Sequence, residues 1–285
     1  MNEKITYSII IPHKNRPDLL QRCVGNIPVR SDIQTIVVDD NSDTDKKPRI
    51  ERTDVEVILL DAGNSKGAGR ARNVGIGHAR GQWLLFADAD DYYKEGFIDV
   101  LDGYKDKSFD VVYFNYEFRD GVTGALLPPH VFQSHFTDYD GSKETKDQVR
   151  FHHNVPWTKM VSSEYVRQHH ITFEETINGN DMLFSMKVGY YTENITVIKQ
   201  PVYVYLKNPN SIMTTKEDAE SSLCRLKQMI KQNYFYKAIG HPEWTVPVTK
   251  KALYCMYNIG LPYVVALLKN AIPMYRSRKE WVVGL

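Results

Sequence analysis

Short apolar runs, each closed by a polar cluster, recur through the first part of the chain. TYSIIIP (6–12), QTIVVDD (34–40), VEVILL (55–60) and QWLLFA (82–87) read as buried strands. Between them, 17–27 and 69–79 read as helices, the second rich in small residues suited to close packing. Short strands alternating with helical segments predict a mostly parallel α/β sheet. Past Asp91 the pattern changes. A helix is expected over 96–104. DVVYFNYEF (110–118) alternates and precedes Asp120-Gly121, which predicts a hairpin arm. The stretch 121–141, rich in Pro, Gly and His, reads as an irregular loop. Helices are expected over 143–152, 163–169 and 181–190, a strand over 195–205, and helices from 218 to the end. There is no internal repeat and no low-complexity tract.

Three polar clusters follow apolar strands directly: HKNR (13–16), DDNSD (39–43) and DADD (88–91). Open α/β sheets bind ligands outside the carboxyl ends of their strands, and parallel strands put those ends on one edge. The three clusters are therefore expected to converge.

Composition adds limits. The chain has 285 residues, 42% hydrophobic and 25% charged, enough for a real core. That length allows one large domain, or a domain with an appendage. A net charge of +1 points to no nucleic acid or acidic polymer as partner, so any electrostatic attraction must be local. Cys23, Cys224 and Cys255 are widely spaced, which suggests neither a disulfide framework nor a zinc site and fits a reducing cytosol. The N-terminus lacks the apolar run of a signal peptide. The stretch 252–268, broken by Asn258, Gly260 and Pro262, falls short of the ~20 apolar residues that a membrane span needs.

Each cluster admits a functional and a plain structural reading. On an extended segment Asp88 and Asp90 would point to one side. Paired carboxylates repel unless a cation intervenes, and hard oxygen ligands suit Mg²⁺ or Mn²⁺, which also take phosphate oxygens. The alternative is that Asp90 or Asp91 caps a turn or the helix near Gly96. Asp39 and Asp40 could meet a nucleoside base or ribose, or could form an Asx turn with Asn41, Ser42 and Asp43. Lys66, Arg70 and Arg72 lie in a Gly-rich approach to a helix, a natural place for phosphate. A dinucleotide reading of GIGHARG fails, because its glycines precede a strand and miss the GxGxxG spacing. Asp181 could be a helix N-cap or a general base.

The pieces SIIIPHKN, IVVDDNSD, GAGRARNVGIGHARGQW and LLFADADD, in this order, resemble family 2 glycosyltransferases with the GT-A fold, the group that builds bacterial polysaccharides. A weaker likeness runs on through VPWTKMVSSEYVRQHHITFEETINGNDMLFSMKVG, so that it covers 5–205. The resemblance implies a Rossmann-like, mostly parallel sheet with flanking helices: a catalytic domain over 1–212, with a nucleotide-binding half (1–95) and an acceptor-binding half (96–212). A helical extension over 213–285 would follow. By the resemblance, Pro12, His13, Lys14 and Asn15 would line the base pocket. Asp40 would bind uracil, with Asp39 supporting the loop. Arg72, with Arg70, would approach the diphosphate or uracil, and Asp88, Ala89 and Asp90 would form the DxD motif that holds Mn²⁺ or Mg²⁺, chiefly through Asp90. Asp181 would be the catalytic base, and Asp91, Trp157, Lys159 and Asn180 would face the sugar or acceptor. Two departures stand out: Asn180 replaces the family's usual Glu before the base, and Lys14 stands where many members carry Tyr.

The implied reaction is an inverting displacement that moves a sugar from a UDP-sugar to a hydroxyl of a glycan or lipid-linked acceptor. A nucleotidyltransferase would need a Gly-rich loop after the first strand, where PHKNRPDLL has no glycine. A non-catalytic nucleotide-sugar binder would have no need of Asp181. The apolar and basic mixture over 252–281 suits an anionic membrane surface or, equally, a helix packed on the catalytic domain. A cytoplasmic location is expected, at the inner face of the plasma membrane if that contact forms, and a homodimer is left open.

Overall fold

The structure is a computed structural model that describes residues 4–209, 218–262 and 264–265. The expected boundary at 212/213 lies outside them, as do position 263 and everything from 266 in the proposed membrane segment. The chain runs β1 (Tyr7–His13), α1 (Pro17–Gly25), β2 (Ile33–Asp39), β3 (Val55–Leu59), α2 (Ala68–His78) and β4 (Trp83–Phe86). It continues with β5 (Tyr92–Tyr93), α3 (Phe97–Asp102), β6 (Val111–Asp120), α4 (Ser134–Thr137), α5 (Lys143–Asp147) and β7 (Lys159–Ser162). Then follow α6 (Ser163–Gln168), α7 (Met182–Tyr190), β8 (Ile195–Lys207), α8 (Ala219–Ala238) and α9 (Thr249–Asn258).

One 8-stranded sheet has the order β3-β2-β1-β4-β7-β6-β8-β5. The first four strands are mutually parallel, with Ile10 opposite Ile36 on one side and Phe86 on the other. Every residue of β1 and β2 is buried, and each carries a short apolar run, Ile9 to Pro12 and Ile36 to Val38, as expected of strands covered on both faces. Close packing of α2 on β1 depends on Gly75, where a Cβ would stand 2.4 Å from the Ile10 side chain. β7 lies antiparallel between β4 and β6, and β8 runs parallel to β6. The result is a mixed, mostly parallel sheet, and one apolar cluster runs from Tyr7 to Tyr203 through both halves.

Three expectations need correction. β6 is not the arm of a hairpin: its neighbours are β7 and β8, and the turn after it contributes only the bridge between Arg119 and Leu126. The burial of all of Val111 to Tyr116 shows why, since an interior strand is covered on both faces. The loop 121–141 contains helical turns at Val131–Gln133 and Ser134–Thr137. The helix expected over 143–152 widens into a π turn at Gln148–His152, where Arg150 Nε donates to Gly189 O at 2.8 Å. The C-terminal helices pack through small separate clusters, such as Leu226, Ile230, Cys255 and Val264. Among the described residues, no helix is long and apolar enough to cross a membrane.

Candidate active site

Parallel pairing of β1, β2 and β4 brings the three polar clusters to one edge. The first two touch directly, and the third is held from α1. His13 Nδ1 donates to Asp39 Oδ1 at 2.7 Å, Lys14 Nζ reaches Asp40 at 3.3 Å, and an Arg22 guanidinium nitrogen donates to Asp90 O at 2.7 Å.

At the ends of β1 and β2 the acids are committed to the fold. Asp39 also accepts from the Ser42 N–H at 3.0 Å and the Ser42 hydroxyl at 2.5 Å, the Asx-type turn that was the plain reading. His13, with Nδ1 on Asp39 and Nε2 accepting from the Arg16 N–H at 3.1 Å, has both ring nitrogens used and is 2% exposed. It organises the loop and does not present a free nitrogen to a base. Asp40 accepts from the backbone N–H groups of Lys66 and Gly67, each at 3.1 Å, and so fixes the start of α2. Pro12 is a buried strand residue opposite Val38. Asn15, at φ 57°, exchanges hydrogen bonds with Asp43.

After β4 the chain turns, with the Asp91 N–H donating to Asp88 O at 3.0 Å, so Asp88 to Asp91 is not extended and the same-side argument for Asp88 and Asp90 does not apply. The turn splits the carboxylates. Asp91, 1% exposed, points inward and accepts from the Leu206 N–H at 2.8 Å and the Tyr203 hydroxyl at 3.2 Å. That burial removes it from sugar or acceptor contact. Asp88 accepts from Arg72 at 2.5 Å, and Asp90 accepts from the Asn208 amide at 3.2 Å. Ala89 is buried at the tip of the turn. Burial, and secondly the charge of Asp88, raise the pKa of Asp90. Asp90, with Asp88 nearby, could hold a hard cation that takes one or two protein carboxylates and completes its shell with phosphate and water. Among the described residues no larger group of His, Cys, Asp or Glu could hold a metal.

Arg72 is the hub. Its other terminal nitrogen donates to Asn180 Oδ1 at 2.7 Å, and its guanidinium lies 5.3 Å from the Phe173 ring. Asn180 thus meets the arginine of the site. Next to it, half-buried Asp181 stands at the N-cap of α7 in helical conformation and makes no capping hydrogen bond. The N-cap reading therefore lacks its defining contact. Burial raises the pKa of Asp181, Arg72 opposes the shift, Asp88 adds to it, and Lys159 lowers it. Lys159 is itself fully buried, donates to the carbonyls of His153 and Val155, and has its pKa pushed down to about 7 by burial. Trp157, 6% exposed, stacks on Tyr203 at 4.9 Å and Tyr205 at 5.4 Å. Both residues sit in the wall behind the site, which leaves no open face for a sugar.

Residues 8–169 match the family model described as glycosyl transferase family 2. The chain belongs to glycosyl transferase family 2. It is 28% identical over 228 residues to the glycosyltransferase GlyG of Streptococcus pneumoniae, covering 74% of each chain. Over 215 residues it is 27% identical to the poly(ribitol-phosphate) beta-N-acetylglucosaminyltransferase TarS of Staphylococcus aureus, covering 70% of this chain but 35% of TarS. It also spans 62% of the uncharacterized glycosyltransferase EpsJ of Bacillus subtilis. In three dimensions it superposes on the crystal structure of the first 349 residues of S. aureus TarS in complex with UDP-GlcNAc, with a TM-score of 0.67 at 19% identity, covering 98% of this chain and 83% of that one. The fold is therefore GT-A, with helices following the sheet.

Several residues of this family 2 site escaped the sequence reading. Tyr203, from β8, accepts from the Asp88 N–H at 3.0 Å and donates to Asp91. Arg22 holds the turn from α1, and Asn208 approaches Asp90 from beyond β8. Glu175 pairs with both Lys66 and Arg70 at 3.2 Å. Only Glu175 had a local signal, as an acid beside the Asn180–Asp181 pair; the others depend on pairings of distant strands.

Proposed function

We propose that the protein transfers a sugar, with inversion, from a UDP-sugar to a hydroxyl of a glycan or lipid-linked acceptor in bacterial cell-surface polysaccharide synthesis. One observation carries the reading. Asp181 is an uncapped carboxylate with a raised pKa, set in the field of an arginine that bridges Asp88 and Asn180. A structural acid would be expected to end in a cap or an ion pair of its own.

In this reading Asp181 removes the proton of the acceptor hydroxyl as the new bond forms at the anomeric carbon. Such base catalysis contributes about 10²–10⁴-fold. Asp88 and Asp90 would hold Mn²⁺ or Mg²⁺. When bound, that ion would lower the charge cost of the departing diphosphate. Arg72 would help to stabilise the same charge, and Lys66 and Arg70 would orient the diphosphate at the start of α2, whose first turn carries no acid. Asp39 and His13 keep the base-binding loop in shape. TarS, the relative solved with UDP-GlcNAc, supports a UDP-sugar as donor class. On α9 and just beyond it, Leu253, Tyr257 and Leu261 are exposed at 61%, 92% and 57% beside Lys250 and Lys251, which supports peripheral contact with an anionic membrane that carries the acceptor.

The test is a thermal-shift panel of UDP-sugars with and without Mn²⁺, paired with a transfer assay of Asp181→Asn. The donor should stabilise the wild type by about 2.7 kcal/mol at 100 times its dissociation constant. Asp181→Asn should show the same donor shift and lose transfer. Retained transfer would refute the base assignment. A nucleotide-sugar binder would be indifferent to the substitution, and a nucleotidyltransferase would release pyrophosphate from a nucleoside triphosphate.

A further inference from the structure

The segment 173–181, which carries Asn180 and Asp181, is tied down on two sides. Toward α2, Asn73 and the Phe173 backbone exchange hydrogen bonds at 2.9 and 2.8 Å. Gly69 lies so close under the segment that a Cβ would stand 1.9 Å from Glu174 O. Toward α8, Lys231 pairs with Glu174, Asn178 donates to the Ser221 hydroxyl, and Cys224 Sγ meets Asn178 O at 3.4 Å. Between these anchors Glu175 extends over the start of α2 and meets Lys66 Nζ and an Arg70 guanidinium nitrogen, each at 3.2 Å.

These are the two cations assigned above to the diphosphate. Burial alone would raise the pKa of Glu175, but the hydrogen bonds from Lys66 and Arg70 outweigh it and the net shift is downward, so the carboxylate is ionised at neutral pH. The three side chains are 56%, 35% and 29% exposed, so the pairs are reachable by an incoming anion. A carboxylate and a diphosphate oxygen ask for the same donors, and the diphosphate brings more charge.

We propose that Glu175 is a built-in competitor of the donor's diphosphate: it neutralises Lys66 and Arg70 in the donor-free enzyme, yields them when a nucleoside diphosphate arrives, and reclaims them to speed its release. The proposal rests on the reading of Lys66 and Arg70 as diphosphate contacts.

The test measures UDP binding by calorimetry at several salt concentrations, with wild type, Glu175→Gln, Glu175→Ala and the double variant Lys66→Ala/Arg70→Ala. Exposed ion pairs are individually weak, so either Glu175 variant should bind UDP about threefold to tenfold tighter. The gain should appear as a slower off-rate in stopped flow. Salt supplies a readout that a packing role would not move. In the wild type, salt screens the competitor and the ligand together, so its effects partly cancel; without Glu175 the UDP affinity should fall more steeply with salt. Unchanged or weaker UDP binding in both Glu175 variants, with the double variant impaired, would overturn the competition and leave the site reading intact. Unimpaired UDP binding by the double variant would overturn the site reading, and the competition with it.

Discussion

The ends of β1 and β2 and the stretches around Asp88–Asp91 and Asn180–Asp181 are both rich in carboxylates, but the protein treats them differently. Asp39 and Asp40 are bound by histidine, hydroxyl and backbone donors that the protein itself supplies. Among the described residues Asp90 accepts from the Asn208 amide and Asp181 makes no capping hydrogen bond, and burial raises the pKa of both. Satisfied acids set the shape of the edge. Under-satisfied ones hold free energy that a cation or a substrate proton can release, which is the arrangement expected of groups that do chemistry. Asp91 shows that a raised pKa alone does not mark the second class: burial and the charges of Asp90 and Asp88 push its pKa well up, yet Tyr203 and Leu206 both donate to it.

The contrast breaks most visibly at Asp181. Asp181→Asn should lower transfer by about 10²–10⁴-fold while leaving the melting temperature unchanged or raised, because the substitution removes a partly buried charge and no cap. Asp90→Asn should follow, with transfer down about 10²-fold in a direct assay and Mn²⁺-dependent stabilisation by UDP lost. At Asp39 the order of effects should reverse. Asp39→Asn leaves His13 and Ser42 facing an amide and should cost about 1–3 kcal/mol of stability in urea unfolding. If Asp39→Asn proved as stable as wild type, or Asp181→Asn markedly less so, the division into shaping and reacting acids would fail.

Much of this was legible in the sequence because one rule connects the pieces. Parallel β1, β2 and β4 put His13–Arg16, Asp39–Asp43 and Asp88–Asp91 on one edge whatever the loops do. What the sequence could not show was which face each acid would take. The turn at Asp88–Asp91 decides that, and it is set by Tyr203 and Leu206, more than a hundred residues away. The same distance hid the burial of Trp157 and Lys159. Their polar and aromatic character fits a sugar site, yet Lys159 starts β7 between β4 and β6, and Trp157 just before it stacks on Tyr203 and Tyr205 of β8. The supposed hairpin at β6 failed for a related reason: the strands that flank it, β7 and β8, come from distant parts of the chain.

The smallest expected effect tests the link between the two classes through Lys159. A base must be deprotonated to act, so the acid limb of kcat/KM should lie above the ordinary carboxylate range, following the raised pKa of Asp181. The charge of Lys159 lowers that pKa, and below about pH 7 the lysine is protonated. Lys159→Met should therefore move the acid limb upward, by less than about one pH unit at the distances typical of partly screened charges. Stability gives an independent check of sign. The folded pKa of Lys159 is lowered to about 7 from its ordinary 10.5, so between those values the unfolded chain binds the additional proton and stability rises with pH. The methionine variant should lose that slope in urea melts taken between pH 7 and 10. An unmoved acid limb with the slope abolished would confine Lys159 to the core and sever it from the base; a limb displaced downward would mean that Asp181 is not the group being titrated.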